Sequence, residues 1–513
     1  MKDKALAAEA VAAPGKNSTG TPLSTKSLVG LSVATLVLLF IAFSPTPAGL
    51  PIAGQYMLGI LAFSVIIWML EAVSYPVSAI LITTIMAFML GYAPIAENPA
   101  AKMATSKALG MALGGFSNTA WALVGGALFL AAAMTRTGLD KRIALLVLSK
   151  VGAKTNRVLM GVIMVGFLLS FLVPSTTARV SCMVPIVMGI ILAFDVPLKS
   201  RFAGMLMIAT AQADSLWNVG IKTAAAQNMV AISFIEKQLG TTISWLDWFV
   251  AAAPFSAIMS FVLYFVLMKM MPPETQEIAG GQAIVEKSLA ALGPMSLNEK
   301  KLLGISLVLL FFWSTEKVLH PFDTATTTIT AITLMFMPGI GVMDWKQAQN
   351  LIPWGTLVLF GTGISLGSAL LSTKGGIWLA NWIVTFFGLQ SATGFTIIAI
   401  MALFLIIIHL GFASATGLAA AIIPIIIAVL QSVDKSQNLN VVGMTMILQY
   451  VVSFGMILPV NAPQNMVVYG TDTFEVKDFV RTGIPLTIVA YVLILLMSST
   501  YWTWLGHVVL PGK

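Results

Sequence analysis

Charge is what this chain has least of: Asp, Glu, Lys and Arg together supply 9% of its 513 residues, where soluble domains carry about a quarter. That shortage excludes an ordinary water-soluble globular fold. Cysteine is almost missing too, and the single Cys182 excludes an intramolecular disulfide framework and any paired-cysteine metal site. No carboxylate-rich metal motif is present, so no metal site and no cofactor are expected. Basic residues interleaved with aromatics are lacking, which argues against a nucleic-acid partner and leaves the net charge of +8 to membrane topology.

What is present is hydrophobic sequence, 58% of the chain, in runs such as 28–43, 52–69 and 77–90 that can each cross about 30 Å of hydrocarbon. In lipid the backbone must satisfy itself, so an all-α polytopic membrane protein is expected. Residues 1–27 are polar and read as a disordered cytoplasmic tail. A cleaved signal peptide is the competing reading, opposed by the length of the polar lead and by Asp3 and Glu9. The first half, 28–271, holds scaffold spans, a hairpin at 156–194 and a broken helix at 202–236. A polar linker at 272–298 follows. The second half, 299–513, repeats the plan with a hairpin at 391–431 and a broken helix at 441–469. Lys and Arg near 136–157 and around the linker place both on the cytoplasmic side. The count is about eleven crossings and two re-entrant hairpins, entering from opposite sides as an inverted repeat, with the amino terminus inside.

The repeat is written in polar residues. Pro174-Ser175-Thr176-Thr177-Ala178-Arg179 is matched, about 239 residues on, by Ala413-Ser414-Ala415-Thr416, each with Pro-Ile ten residues after its serine. Each copy then meets a second break, Thr223 to Asn228 and Asn461 to Asn465. Such doubled breaks mark a midplane transport site made by discontinuous helices. At each tip a helix start offers free N–H groups and small hydroxyls, from Ser175, Thr176 and Thr177 and from Ser414 and Thr416. These parts suit a carboxylate. The bland alternative, serine and threonine bonded to their own backbone, fits a lone residue better than a matched pair. Asn228 and Asn465 are read as supports for freed backbone, with direct contact equally open.

Four ionisable residues lie deep in these elements. Arg179 needs an anionic substrate or Asp214 to compensate it. Asp214, Asn218 and Lys222 share one face if the helix holds that far, so Lys222 either neutralises Asp214 or serves the site. His409, five residues before Ser414, supplies charge or a hydrogen bond.

The segments Pro174 to Arg179, Thr223 to Asn228, His409 to Ser414 and Ile352-Pro353-Trp354-Gly355 resemble those of the divalent anion/sodium symporter family, over roughly residues 50–512. The likeness is greatest to its exchanger branch, which holds citrate/succinate and tartrate/succinate antiporters and the plastid 2-oxoglutarate/malate translocator. The resemblance implies a homodimer in the inner membrane, in which a mobile transport domain carries the site past a rigid scaffold. It implies a di- or tricarboxylate bound between Ser175-Thr176-Thr177 and Ser414-Ala415-Thr416. The family's Ser-Asn-Thr signature lacks its asparagine in both copies. Ala225, Ala462 and Pro463, also expected at the substrate, fall where sodium-coupled members carry a Gly-Thr-Pro-Pro-Asn motif. Charge built in at Arg179, Lys222 and His409 then replaces sodium, and exchange rather than net uptake is expected. A sodium-coupled symporter of dicarboxylate, sulfate or sulfonate is the alternative. A membrane hydrolase using His409 and Ser414 is disfavoured by their spacing, and an ion channel by the paired hairpins.

Overall fold

The computed structural model describes residues 24–95, 98–152, 154–193, 197–275, 281–437 and 439–509. Most of the expected tail, 1–27, lies outside the described residues. Its last residues open the first helix, Thr25–Phe43, with the Ser24 side chain accepting from the Ser27 N–H. Among the described residues nine helices are long and apolar enough to cross a bilayer, two of them hairpin arms, Thr155–Leu172 and Ala415–Val433. The only sheet among the described residues is the antiparallel pair Pro94–Ile95 and Asn98–Lys102.

Burial sorts the helices. Thr25–Phe43 is 22% buried, a peripheral helix, while Ala415–Val433 is 83% buried. Arg201–Gly220 is buried from Phe202 to its end and forms the centre of the molecule. Polar caps fix where helices begin: Ser200, Ser244, Ser296 and Asp323 each accept from a first-turn N–H.

Both expected hairpins are interrupted where the polar motifs stand, Thr155–Leu172 giving way to Thr176–Ala193 and Gly394–His409 to Ala415–Gln437. The two broken helices have one construction. Arg201–Gly220 resumes as Ala226–Leu239 after a 3₁₀ turn at Lys222–Ala224, and Val441–Val452 resumes as Pro463–Tyr469 after one at Pro459–Asn461. The hydrogen bonds repeat as well. Asn228 Nδ2 donates to the carbonyls of Asn218 (2.7 Å) and Ile221 (3.2 Å). Asn465 Nδ2 donates to those of Gly455 (2.8 Å) and Leu458 (3.4 Å). One offset of 237 residues relates all three pairs, so the halves share geometry as well as pattern.

Several elements were not expected. The basic stretch after residue 137 contains the helix Leu139–Ser149, and the linker contains Gly281–Ala291, both amphipathic pieces that hydropathy passes over. Arg142 of the former forks onto Glu299 (2.5 and 3.2 Å) and reaches the Gly293 carbonyl, tying the linker region to the first half. The helices Thr105–Leu113 and Gly375–Phe386 were also missed, being too short to register as spans.

Candidate functional site

The two interruptions and the two breaks meet around one cavity of about 440 Å³. Its wall holds Ser175, Thr176 and Thr177 from the first tip, Ser414, Ala415 and Thr416 from the second, Ala225 from the first break, and Ala462 and Pro463 from the second. Every residue expected to touch substrate is therefore in one place. The facing wall, which sequence reasoning missed, comes from Thr119–Thr137 through Val124, Ala127, Leu128 and Ala131, and from Tyr75, Pro353 and Thr356. No charged side chain is among the lining residues.

In place of charge the cavity collects helix starts. Thr176–Ala193, Ala226–Leu239 and Ala415–Gln437 all begin on its wall, and Pro463 opens a fourth, short helix there. The first two amides of a helix have no intrahelical acceptor, and they carry the positive end of its dipole. Ala225 and Ala462 precede their helices in nearly one extended conformation (φ −148° and −153°, ψ 143° for both), and neither has a side chain that can cap.

The hydroxyls of the tips are not equivalent. Ser175 Oγ accepts from the Ala178 N–H (3.4 Å) and Ser414 Oγ from the Gly417 N–H (3.2 Å), so both cap their helices and keep a proton to give. Thr176 differs. Its Oγ1 lies 2.8 Å from Asn218 Oδ1, an atom that also receives the Arg179 guanidinium at 2.8 Å. Since a guanidinium only donates, that atom is oxygen and Thr176 must give its proton to it, leaving Thr176 an acceptor toward the cavity.

Arg179, Lys222 and His409, expected as charge compensators, are not among the residues that line the cavity, and of the two partners open to Arg179 the structure pairs it with Asp214. Arg179 is fully buried and uses all five of its N–H donors. They go to Asp214 Oδ1 (2.6 Å), the Val173 carbonyl (2.7 Å), the Ala224 carbonyl (3.1 Å), the Asp214 carbonyl (3.4 Å) and Asn218. Its charge is matched by Asp214, and its bonds tie the hairpin to the broken helix. Lys222 does not share a face with Asp214, because the helix ends at Gly220 and the chain turns. Its Nζ instead meets the Ile243 carbonyl (2.6 Å) and Thr324 Oγ1 (3.2 Å), and Thr324 passes on to Glu316 (2.8 Å). His409 is buried, and neither ring nitrogen has a hydrogen-bond partner among the described residues.

Asn461 is the residue whose role sequence reasoning overlooked. Its Nδ2 donates to the carbonyls of His409 (2.8 Å), Leu410 (3.2 Å) and Phe412 (3.2 Å), joining the second hairpin to the second break. Asn461 stands in the repeat where Ala224 stands, and Phe412 where Val173 does. The same join is thus made by a guanidinium in one half and by an amide in the other. Glutamines cross between halves: Gln227 reaches Ser453 (3.2 Å), Gln464 reaches Ser215 (3.1 Å), and Gln212 reaches the Met456 carbonyl (3.0 Å). Extending the repeat offset from Asn228 to other polar residues finds Gln212 and Gln449, a signal available in the sequence.

Comparison with known proteins agrees with this architecture. A "Membrane protein" of Cupriavidus necator is 55% identical over 479 residues, 93% of each chain. The inner membrane protein YbhI of Escherichia coli is 28% identical over 94% of this chain and 99% of its own. The sodium-dependent dicarboxylate transporter SdcS of Staphylococcus saprophyticus is 26% identical over 92% and 90%. In fold the chain is similar to the YdaH transporter of Alcanivorax borkumensis, with a TM-score of 0.52 at 14% identity over 84% of this chain and 97% of that one. The family described as the sodium:sulfate symporter transmembrane region matches residues 25–508, nearly the whole chain. Doubled tips, doubled breaks and that match together place this multi-pass membrane protein in the divalent anion/sodium symporter family.

Proposed function

We propose that the chain is a secondary transporter that exchanges one di- or tricarboxylate for another across the inner membrane. One observation carries this: two serine-capped helix starts, far apart in sequence, open on one cavity with first-turn amides and hydroxyl protons that meet no acceptor among the described residues. A carboxylate supplies the oxygens these donors lack, one carboxylate to each tip. The SdcS relatives, named as dicarboxylate transporters, support the substrate class.

Exchange rests on the same accounting. With no ligand the cavity amides cross the membrane without acceptors, which costs free energy for each buried donor left unmade. A bound carboxylate removes that cost, so the loaded carrier moves and the empty one resists. Arg179 supports sodium independence, because its five bonds make permanent a join that needs no diffusible cation. The hairpins and broken helices form the moving body in this reading, and the small side chains Ala127, Ala131 and Ala132 give it a smooth wall to pass. A homodimer completes the proposal.

A second reading has its own support. Asp214 Oδ2, Gln212 Oε1, Gln449 Oε1 and Asn465 Oδ1 are buried oxygens without hydrogen-bond donors among the described residues, the kind of atom sodium ligates. The SdcS relatives are also named sodium-dependent. Proteoliposomes separate the two. Labelled succinate, malate, 2-oxoglutarate or citrate entering only vesicles loaded with counter-substrate, equally in sodium and in choline, is the exchanger's result. Concentrative entry into empty vesicles under an inward sodium gradient overturns it.

A further inference from the structure

A second cavity, of about 600 Å³, lies away from the tips, between the helices Leu297–Thr315 and Thr324–Phe336. It is a groove rather than a chamber. Gly304 forms its floor, where an added Cβ meets nothing within 4 Å, and Val308 and Phe322 on its margin are 55% and 53% exposed. Phe312 and Phe322 close one end, and Lys300 and Lys301 stand at the other.

Three features decide what fits. The run from Lys300 to Phe312 rises about 18 Å along a helix. Half of a bilayer's hydrocarbon is about 15 Å, so the groove has the length of one leaflet's acyl chains. Its two walls are packed helices joined by a short loop, and axes about 8–10 Å apart leave a seam that admits a hydrocarbon chain and not another helix. The lysines lie at the end that adjoins the linker 272–298, which the positive-inside rule, applied to Lys269, Lys287, Lys300 and Lys301, assigns to the cytoplasmic side. Lys301 Nζ bonds the Gly339 carbonyl (2.6 Å) and is held in place, while Lys300 is exposed.

We propose that this groove binds an anionic phospholipid of the cytoplasmic leaflet, its acyl chain along Gly304 and Val308 and its phosphate on Lys300 and Lys301. Basic pockets between membrane helices favour anionic headgroups, at about fivefold for each lysine engaged. The second wall helix, Thr324–Phe336, begins at Thr324, which receives Lys222, so a lipid that sets the spacing of these helices bears on the transport elements.

Native mass spectrometry of the detergent-purified full chain, offered equal phosphatidylglycerol and phosphatidylcholine, tests the assignment. The wild type is expected to retain phosphatidylglycerol at least about fivefold over phosphatidylcholine. The Lys300→Gln/Lys301→Gln pair brings that ratio near one, and Gly304→Leu, which fills open space, lowers retention of either lipid. Equal retention by the wild type, or retention untouched by Gly304→Leu, overturns the proposal. A dimer turned to monomer by Gly304→Leu with lipid retention unchanged also overturns it, and assigns the face to a second copy of the chain.

Discussion

Arg179 gives its five N–H donors to five acceptor atoms around it, so its loss is felt as structure before it is felt as affinity. Arg179→Ala leaves the Asp214 carboxylate buried and unpaired, a change of about 3–5 kcal/mol. The Arg179→Ala/Asp214→Ala double variant is expected to recover part of that loss, because neither charge is then stranded. Thermal unfolding in detergent measures both, and single variants that unfold at the wild-type temperature remove the strut. The tip hydroxyls give a sharper contrast. Ser175→Ala and Ser414→Ala each delete a proton aimed at an anion, a charge-assisted bond of about 1.5–3 kcal/mol. Half-saturation for exchange is then expected to rise about tenfold or more. Thr176→Val removes the bond donated to Asn218 and, toward the cavity, an acceptor only, so it raises half-saturation less, and equal effects at Ser175 and Thr176 contradict the assignment of that proton to Asn218.

At the scale of elements, the broken helices start on residues that cannot cap. Ala225→Asp and Ala462→Asp supply a good cap, worth about 1 kcal/mol to the helix, while placing a carboxylate where the anion belongs. Transport is expected to vanish while the unfolding temperature holds, and retained transport speaks against helix starts as the anion's receptor. These breaks were legible in the sequence because Ser175, Asn228, Ser414 and Asn465 are polar residues in apolar surroundings, where little else competes for their explanation. The partners of Lys222 were not. A helix carried through to Lys222 puts it over Asp214, but the stop at Gly220 turns it toward Ile243 and Thr324, and nothing local announces that turn. The helices Leu139–Ser149 and Gly281–Ala291 stayed hidden for another reason, since a short amphipathic helix is half polar and reads as loop on a hydropathy scale.

Across the whole molecule, polar stitches join the two halves, and one of them ends where two backbone segments of the second half approach closely. A Cβ on Gly483 meets the Met456 carbonyl at 2.0 Å, the carbonyl that also receives Gln212. Gly483→Ala is therefore expected to cost about 1–3 kcal/mol by overpacking, read as a lower unfolding temperature. Glu316→Gln, by contrast, leaves Lys222 buried beside a neutral amide. It is expected to lower stability by about 1–3 kcal/mol with half-saturation unchanged, since neither residue lines the cavity. A shifted half-saturation in that variant places Glu316 nearer the ligand than its bonds to Thr324 and Trp245 do. The uncharged lining has a further consequence, for voltage. With Arg179 paired to Asp214 and no formal charge among the lining residues, nothing on the wall calls for a co-ion, so over one cycle of the proposed exchange the net charge that crosses the membrane field is the ligands' own. Swapping two dianions moves no net charge and is indifferent to membrane potential. Trading a trianion for a dianion moves one charge per cycle, worth about 2.3 kcal/mol per 100 mV.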